Sequence, residues 1–142
     1  MPTRTASARW QGGLKGGSGK ISELAWNGGQ YNFSSRFENG TGTNPEELLA
    51  AAEAACYSMA LSGGLEKNGT PPTSVETTAK CTIEKVGDGF SITRMLLEVK
   101  ATVPQIDNAA FQAIAKATKD GCPVSRALKG NVEIEVTAVL ST

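Results

Sequence analysis

The chain has 142 residues, of which 39% are hydrophobic, and its 14 Lys and Arg balance 14 Asp and Glu. This size fits one globular domain over residues 1–142, and zero net charge offers no basic surface for nucleic acid or a membrane. No uninterrupted apolar run approaches the roughly 20 residues that span a bilayer, and the polar N-terminus differs from a secretory signal. We therefore expect a cytoplasmic protein.

Histidine is absent from the sequence. This excludes Ser-His-Asp and Cys-His catalysis and removes the commonest zinc ligand. The three cysteines, Cys56, Cys81 and Cys122, show no C-x-x-C spacing, which excludes a thioredoxin-type motif and a zinc knuckle. An odd number of cysteines in a reducing compartment argues against structural disulfides. Two possibilities remain, which are inert core thiols or a redox-active pair.

The N-terminal part contains short β-prone segments between glycine-rich turns. The segments at 6–10, 20–24 and 30–33 predict an antiparallel meander. The glycines at 16–19 do not have the spacing of a phosphate-binding loop. Arg36 follows the last of these predicted strands, where a lone arginine is by default a solvated surface charge.

The longest helical pattern runs from 43 to 61. Asn44 is suited to the N-cap, Pro45 to the first helical position and Glu47 to the third, as in a capping box. Apolar residues recur at steps of three and four, and charge is almost absent from the middle, so we expect a buried central helix. Glycines from Gly63 onward are expected to end it.

An antiparallel hairpin is predicted next. Alternating apolar residues over 74–84 indicate a half-buried strand, a turn follows at 87–89, and a long strand returns over 90–103. The apolar positions change parity along the second strand, which predicts a bulge near Arg94.

Two helices and one strand complete the predicted fold. The helices cover 107–121 and 123–128, with Asp107 or Asn108 as the first N-cap, and the strand covers 132–138. This order predicts an α+β domain with an antiparallel sheet meander around a long buried central helix. One sheet covers one side of that helix, so we expect a second subunit on the rest and predict a homodimer.

Each cysteine has a structural and a chemical interpretation. Cys81 lies on the inward side of a strand, as a buried hydrophobe does. Cys56 is either a buried helix thiol or a reactive one. Cys122 occupies an N-cap position with Pro123 after it, where helix N–H groups favour a thiolate. The plain alternative is a turn residue.

Four segments resemble the OsmC/Ohr family of organic hydroperoxide reductases, and the OsmC subgroup in particular, with a likeness that covers essentially the whole chain. They are SRFE at 35–38, GTNPEEL at 42–48, AACYSMAL at 54–61 and GCPVS at 121–125. The resemblance implies an intertwined homodimer, in which two sheets surround paired central helices and two active sites lie at the subunit interface.

The resemblance also implies the roles of individual residues. Cys56 would be the peroxidatic thiol and Cys122 the resolving thiol, while Arg36 and Glu47 would hold and activate Cys56. Glu53 stands where the OsmC subgroup often has histidine.

The implied reaction is reduction of alkyl or lipid hydroperoxides to alcohols, in defence against oxidative or osmotic stress. It would pass through a Cys56 sulfenic acid and a Cys56–Cys122 disulfide. No bound metal or organic cofactor is expected, and the family suggests an external, lipoyl-type dithiol as reductant. Two alternatives stay open: a noncatalytic dimeric module that binds a small ligand, and a cysteine-based redox sensor.

Helix geometry limits how the expected site can form. Glu47 and Cys56 are nine positions apart, which places them on opposite faces and roughly 13.5 Å apart along the axis. Either Arg36 bridges the gap, the helix is irregular, or the partner subunit supplies some of the residues. We favour a composite site at the interface.

Overall fold

The computed structural model describes residues 3–13, 16–23 and 33–142. In these residues it confirms the predicted α+β class. The elements are β1 (Thr3–Gln11), β2 (Ser18–Ser22), α1 (Phe33–Phe37), α2 (Pro45–Lys67), β3 (Ser74–Val86), β4 (Gly89–Thr102), α3 (Asn108–Gly121), α4 (Pro123–Leu128) and β5 (Glu133–Ser141).

The described strands form one sheet in the order β2-β1-β3-β4-β5. Neighbouring strands are antiparallel as far as β4, but β5 pairs with β4 in parallel. The prediction of an antiparallel sheet is therefore wrong at its last strand. The chain between β4 and β5 contains α3 and α4, and this long crossover returns it to the end of the sheet where β4 began.

The N-terminal meander is confirmed for its first two strands, which are β1 and β2. The third predicted strand lies outside the described residues except for Phe33, which begins the short helix α1. Arg36 is thus on a helix rather than after a strand. Hydrogen bonds to the start of α2 fix α1, because Ser35 donates to the Thr43 carbonyl at 2.9 Å and accepts from the Asn44 amide at 2.9 Å. Such tertiary bonds override a weak strand propensity.

Helix α2 begins as predicted but ends later. The Asn44 side chain accepts the Glu47 backbone N–H at 2.9 Å, and Pro45 is the first helical residue. The helix continues through Gly63 and Gly64 as far as Lys67. At Gly64 a Cβ would stand 3.1 Å from the Cγ2 of an isoleucine on α3, so the glycine permits a close helix–helix approach.

The β3–β4 hairpin follows the prediction closely. Its turn is glycine-led, with Gly87 at φ +62°. The register shifts opposite Thr82 and Ile83, which leaves Thr93 as the extra residue beside Arg94. The predicted bulge is confirmed. Alternate side chains of both strands are buried: Val75, Thr77, Ala79, Cys81 and Ile83 on β3, and Met95, Leu97, Val99 and Ala101 on β4.

Helix α2 is the core of the described fold. Its 23 residues, with a mean hydropathy of 1.3 in the most apolar window, are long and apolar enough to cross a membrane, contrary to the expectation from the sequence. However, 56% of that window is buried in the fold, where α2 packs on β1 and β3. Its apolar character is therefore accounted for by core packing.

The buried N-cap of α2 should contribute more stability than the exposed N-cap of α3. Asn44→Ala should lower the free energy of unfolding by about 2 kcal/mol, since it removes the cap and the buried bond to Ser35. Asp107→Ala is the matched control, because Asp107 caps Ala110 at 2.8 Å but is exposed, and about 1 kcal/mol is expected. Urea denaturation measures both losses, and equal losses would contradict this account.

Candidate active site

The two cysteines with a predicted chemical role lie together. The thiol of Cys122 donates to the sulfur of Cys56 across 2.8 Å, although 66 positions separate them in the sequence. Both are free thiols. Cys56 is half-buried in the middle of α2, and Cys122 is fully buried between α3 and α4. The fold therefore places one thiol where it can capture an oxidised form of the other.

The position of Cys122 is fixed by the two helices that meet there. Its backbone N–H donates to the Thr118 carbonyl at 2.9 Å, which closes α3, and its carbonyl accepts from Arg126 at 2.9 Å, which opens α4. Its extended backbone, with φ −61° and ψ 124°, and the following Pro123 mark the start of α4, as predicted.

Hydrogen bonds on either side of Cys56 hold α2 against these helices. The Tyr57 hydroxyl donates to the Ala115 carbonyl on α3 at 2.8 Å. One turn before the cysteine, the Ser125 hydroxyl on α4 donates to the Glu53 carboxyl group. Both of these hydrogen bonds are buried. The sulfur contact is therefore braced from both helices.

The surroundings of Cys56 oppose its ionisation within one chain. Burial raises the pKa of the thiol to about 11, and the Cys122 thiol and the charge of Glu53 act in the same direction. The Val124 backbone N–H at the start of α4 lowers the pKa. The start of α4 therefore supplies a backbone N–H group to Cys56 as well as carrying Cys122 at its N-cap. In the described part of one chain, none of the groups that shift this pKa is a cation.

Arg36 forms its ion pair with Glu46. Its Nε and Nη2 donate to Glu46 Oε1 at 3.1 and 2.8 Å, and Glu46 is fully buried. The residue that pairs with the guanidinium is thus one position before Glu47, the residue that the resemblance implies acts with Arg36. Glu47 instead accepts from the Thr43 hydroxyl at 2.8 Å and belongs to the start of the helix.

Helical periodicity alone could have favoured Glu46 over Glu47 as a residue on the side of the helix that carries Cys56. Glu46 precedes Cys56 by ten positions, which places it about 80° away around the axis, whereas Glu47 is about 180° away. Arg4 was also missed, because only the sheet brings it to α1, where its Nη2 donates to the Arg36 carbonyl. This contact helps to hold α1 and therefore the guanidinium.

The thiol pair and the ion pair are separate within the chain. Helix α2 is continuous from Pro45 to Lys67, which excludes the irregular helix that would have joined them. Ten residues of regular helix place Glu46 about 15 Å along the axis from Cys56. One chain thus presents two groups of candidate catalytic residues, one at each end of that interval.

Cys81 is buried in β3, as expected of a core thiol. Burial raises its pKa to about 12, and the charge of Glu46 contributes in the same direction. A fully buried thiol of this kind has little thiolate at neutral pH, so it is a poor nucleophile.

Comparison with known proteins shows the family. Residues 38–137 match the OsmC-like protein family. The chain belongs to this family. The Peroxiredoxin OsmC of Escherichia coli is 44% identical to this OsmC-like chain over 134 residues, which cover 93% of the chain and 94% of the relative. An Organic hydroperoxide resistance protein of Xanthomonas axonopodis pv. citri is 32% identical over 99 residues, covering 69% and 68%.

Solved structures show the same fold. An organic hydroperoxide resistance protein OsmC from Legionella pneumophila superposes with a TM-score of 0.64 at 22% identity, covering 100% of this chain and 98% of the other. The Organic Hydroperoxide Resistance Protein OhrB of Bacillus subtilis gives 0.63 at 24% identity, covering 94% and 97%. The OsmC-like architecture is therefore shared over nearly the whole chain.

The thiols should differ in reactivity in a defined order. Iodoacetamide should alkylate Cys56 in the folded protein, because this thiol is half-buried and has a lower pKa than Cys81. Cys81 should be modified only after unfolding. Peptide mass mapping over time measures both rates, with Cys81→Ala as the control that leaves Cys56 labelling unchanged. Labelling of Cys81 as fast as Cys56 in the folded state would contradict the assignment.

Proposed function

We propose that this OsmC-like chain reduces organic hydroperoxides to alcohols, with Cys56 as the attacking thiol and Cys122 as the resolving thiol. The 2.8 Å contact between the two free thiols carries the proposal. The Cys56 thiolate attacks the peroxide, the O–O bond breaks, and a sulfenic acid and an alcohol form. Cys122 then attacks the Cys56 sulfur and displaces water, which leaves a disulfide.

The surface beside Cys122 supports the proposed substrate class. A cavity of about 630 Å³ lies between α2 and α3, and Cys122 is part of its wall. Most of the other lining side chains are apolar, including Met59, Ala60 and Ile114. This lining favours an alkyl or lipid hydroperoxide over hydrogen peroxide, because an apolar chain gains from burial there. The Escherichia coli relative is a peroxiredoxin and the Xanthomonas relative an organic hydroperoxide resistance protein, and both names support peroxide chemistry.

The oxidised pair needs an external electron donor. A Cys56–Cys122 disulfide stores two oxidising equivalents, and thiol–disulfide exchange with a dithiol returns both thiols. We propose a lipoyl-type dithiol, as the family resemblance suggests. The thiols supply the electrons in this scheme, so the reaction requires no bound metal or organic cofactor.

We further propose a homodimer with composite sites. The face of α2 around Cys56 is apolar and open in one chain, with Leu48 42% exposed and Met59 40% exposed. A second copy on this face would bury the exposed apolar side chains. It would also bring its own Arg36–Glu46 pair to the Cys56 thiol of the first copy. A guanidinium there would lower the Cys56 pKa that burial raises, and it would donate to the peroxide oxygens.

Two substitutions test the chemistry with cumene hydroperoxide and dihydrolipoamide. Cys56→Ser should abolish turnover because it removes the nucleophile. Cys122→Ser should form about one equivalent of alcohol per chain and then stop, because no disulfide can be made and reduced. Alcohol formation is measured by chromatography. Equal rates for the wild type and Cys56→Ser, neither above the rate without protein, would favour the ligand-binding module. Oxidation of the wild type without dithiol turnover would favour the sensor.

A mixing experiment tests the composite site. Arg36→Ala and Cys56→Ser should each be inactive alone, yet their heterodimer keeps one intact site if Arg36 acts across the interface. Random subunit exchange should then restore about a quarter of wild-type activity, since about half of the dimers are mixed and each has one working site. Mixtures that stay inactive while exchange is verified by mass spectrometry would contradict a site built from two subunits.

A further inference from the structure

Glu53 carries a buried carboxyl oxygen that the proposed reaction has not used. Its side chain is 0% exposed, and Ser125 donates to Oε1. Oε2 has no hydrogen-bond partner among the described residues. Burial of a carboxyl oxygen without a partner is costly, so a native fold keeps one only for a reason.

The position of Glu53 connects it to both thiols. It lies three residues before Cys56 on α2, so the two side chains occupy one face a turn apart. Its bonded partner Ser125 lies three residues after Cys122. The Glu53–Ser125 contact therefore runs beside the Cys56–Cys122 contact between the same two segments.

The charges around Glu53 are coupled. Its charge acts on Cys56 and Tyr57 of its own helix, Cys122 at the α3–α4 junction acts on the same two groups, and Ser125 on α4 is its hydrogen-bond donor. Burial raises the pKa of Glu53, while the Ser125 bond lowers it. Its negative charge raises the pKa values of Cys56 and Tyr57. Buried acids that lie near one another share a limited negative charge, so ionisation of one favours protonation of another.

We propose that Glu53 is the proton acceptor and donor of the thiol pair, and that its free Oε2, which neither sulfur contacts directly, exchanges the proton with them through one water molecule. This role rests on the proposed peroxidase function. In the first step the Cys56 S–H proton moves to the Glu53 carboxylate, and the thiolate attacks the peroxide. The S–O bond forms, the O–O bond breaks, and the leaving alkoxide takes the proton from Glu53 to give the alcohol.

The second step reuses the same group. Cys122 sulfur attacks the Cys56 sulfenic acid, so the S–S bond forms and the S–O bond breaks. The Cys122 proton passes to the Glu53 carboxylate and then to the leaving hydroxide, which departs as water. Each step returns Glu53 to its ionised form, and the hydroperoxide is the only oxidant. A buried carboxyl group thereby performs the acid–base role that histidine would fill in a chain that contains none.

Glu53→Gln tests this role with two reactions of the Cys56 thiolate, of which only one needs a proton donor. The charge that opposes the Cys56 thiolate is lost, so iodoacetamide alkylation of Cys56 at pH 7 should become several-fold faster. Alkylation releases iodide, which needs no proton. Single-turnover alcohol formation from cumene hydroperoxide should instead become about 100-fold slower, because the alkoxide loses its proton donor. Rapid-quench kinetics on the pre-reduced full chain measures both.

The proposal predicts that the alkylation rate rises while the peroxide rate falls, and simpler roles of Glu53 do not predict this combination. If both reactions accelerate, Glu53 is only a repulsive charge, and if both stay at wild-type rates it has no role. If both slow together, its role is structural. Each of these results overturns the proposal. Glu53→Asp, which keeps a carboxylate, should recover part of the peroxide rate.

Ser125→Ala provides a test that does not require the Gln variant to fold. Loss of its bond removes the influence that lowers the Glu53 pKa, so the fall of the peroxide rate toward acid should move to higher pH. A pH–rate profile whose fall toward acid stays at the wild-type pH would contradict the proposal. Failure of the peroxidase function itself is seen separately, since the wild type would then form no alcohol, and the inference would fall with it. Wild-type turnover together with an unaffected Glu53→Gln variant rejects the inference alone.

Discussion

The contact between the Cys56 and Cys122 sulfur atoms is the constraint on which the rest of the site depends. It exists because a long buried helix and the junction of two shorter helices are held at one place by bonds on both sides of the cysteine. Cys122 closes α3 and opens α4 through its own backbone, and its side chain is fully buried, so both the main chain and the sulfur are confined. Proximity of this kind turns capture of a sulfenic acid into an intramolecular reaction, which is favoured over reaction with an external thiol.

The same helix also separates the groups that the chemistry needs. Its N-terminus holds the Arg36–Glu46 pair through a capped first turn and the hydrogen bonds to α1, while its middle holds the thiol. A single chain therefore combines a thiol whose pKa is raised with a guanidinium whose partner, Glu46, lies about 15 Å from Cys56 along the axis. The open apolar face around Cys56 offers a physical resolution, because a second copy can bury that face and bring its cation there. On this account, dimerisation would contribute to activity as well as to stability.

Local chemistry explains which features the sequence could predict. The Asn44 cap, the hairpin with its bulge beside Arg94 and the place of Cys122 before Pro123 depend on neighbouring residues, and all three are confirmed. The passage of α2 through Gly64, the parallel pairing of β5 and the helical position of Arg36 depend on contacts between distant segments. The Arg36–Glu46 pair could not be predicted from local sequence, because the two residues lie on different helices, whereas the capping position of Glu47 was visible in the sequence. The resemblance to known reductases identified the cysteine pair, which periodicity alone left open.

Intact-mass analysis of the reduced protein after one equivalent of cumene hydroperoxide tests the central claim most directly. The account predicts a loss of two hydrogen atoms per chain, a cross-linked peptide pair that contains Cys56 and Cys122, and a Cys81 thiol that remains free for alkylation after unfolding. A disulfide that includes Cys81, a link between two chains, or a mass that does not change would contradict it.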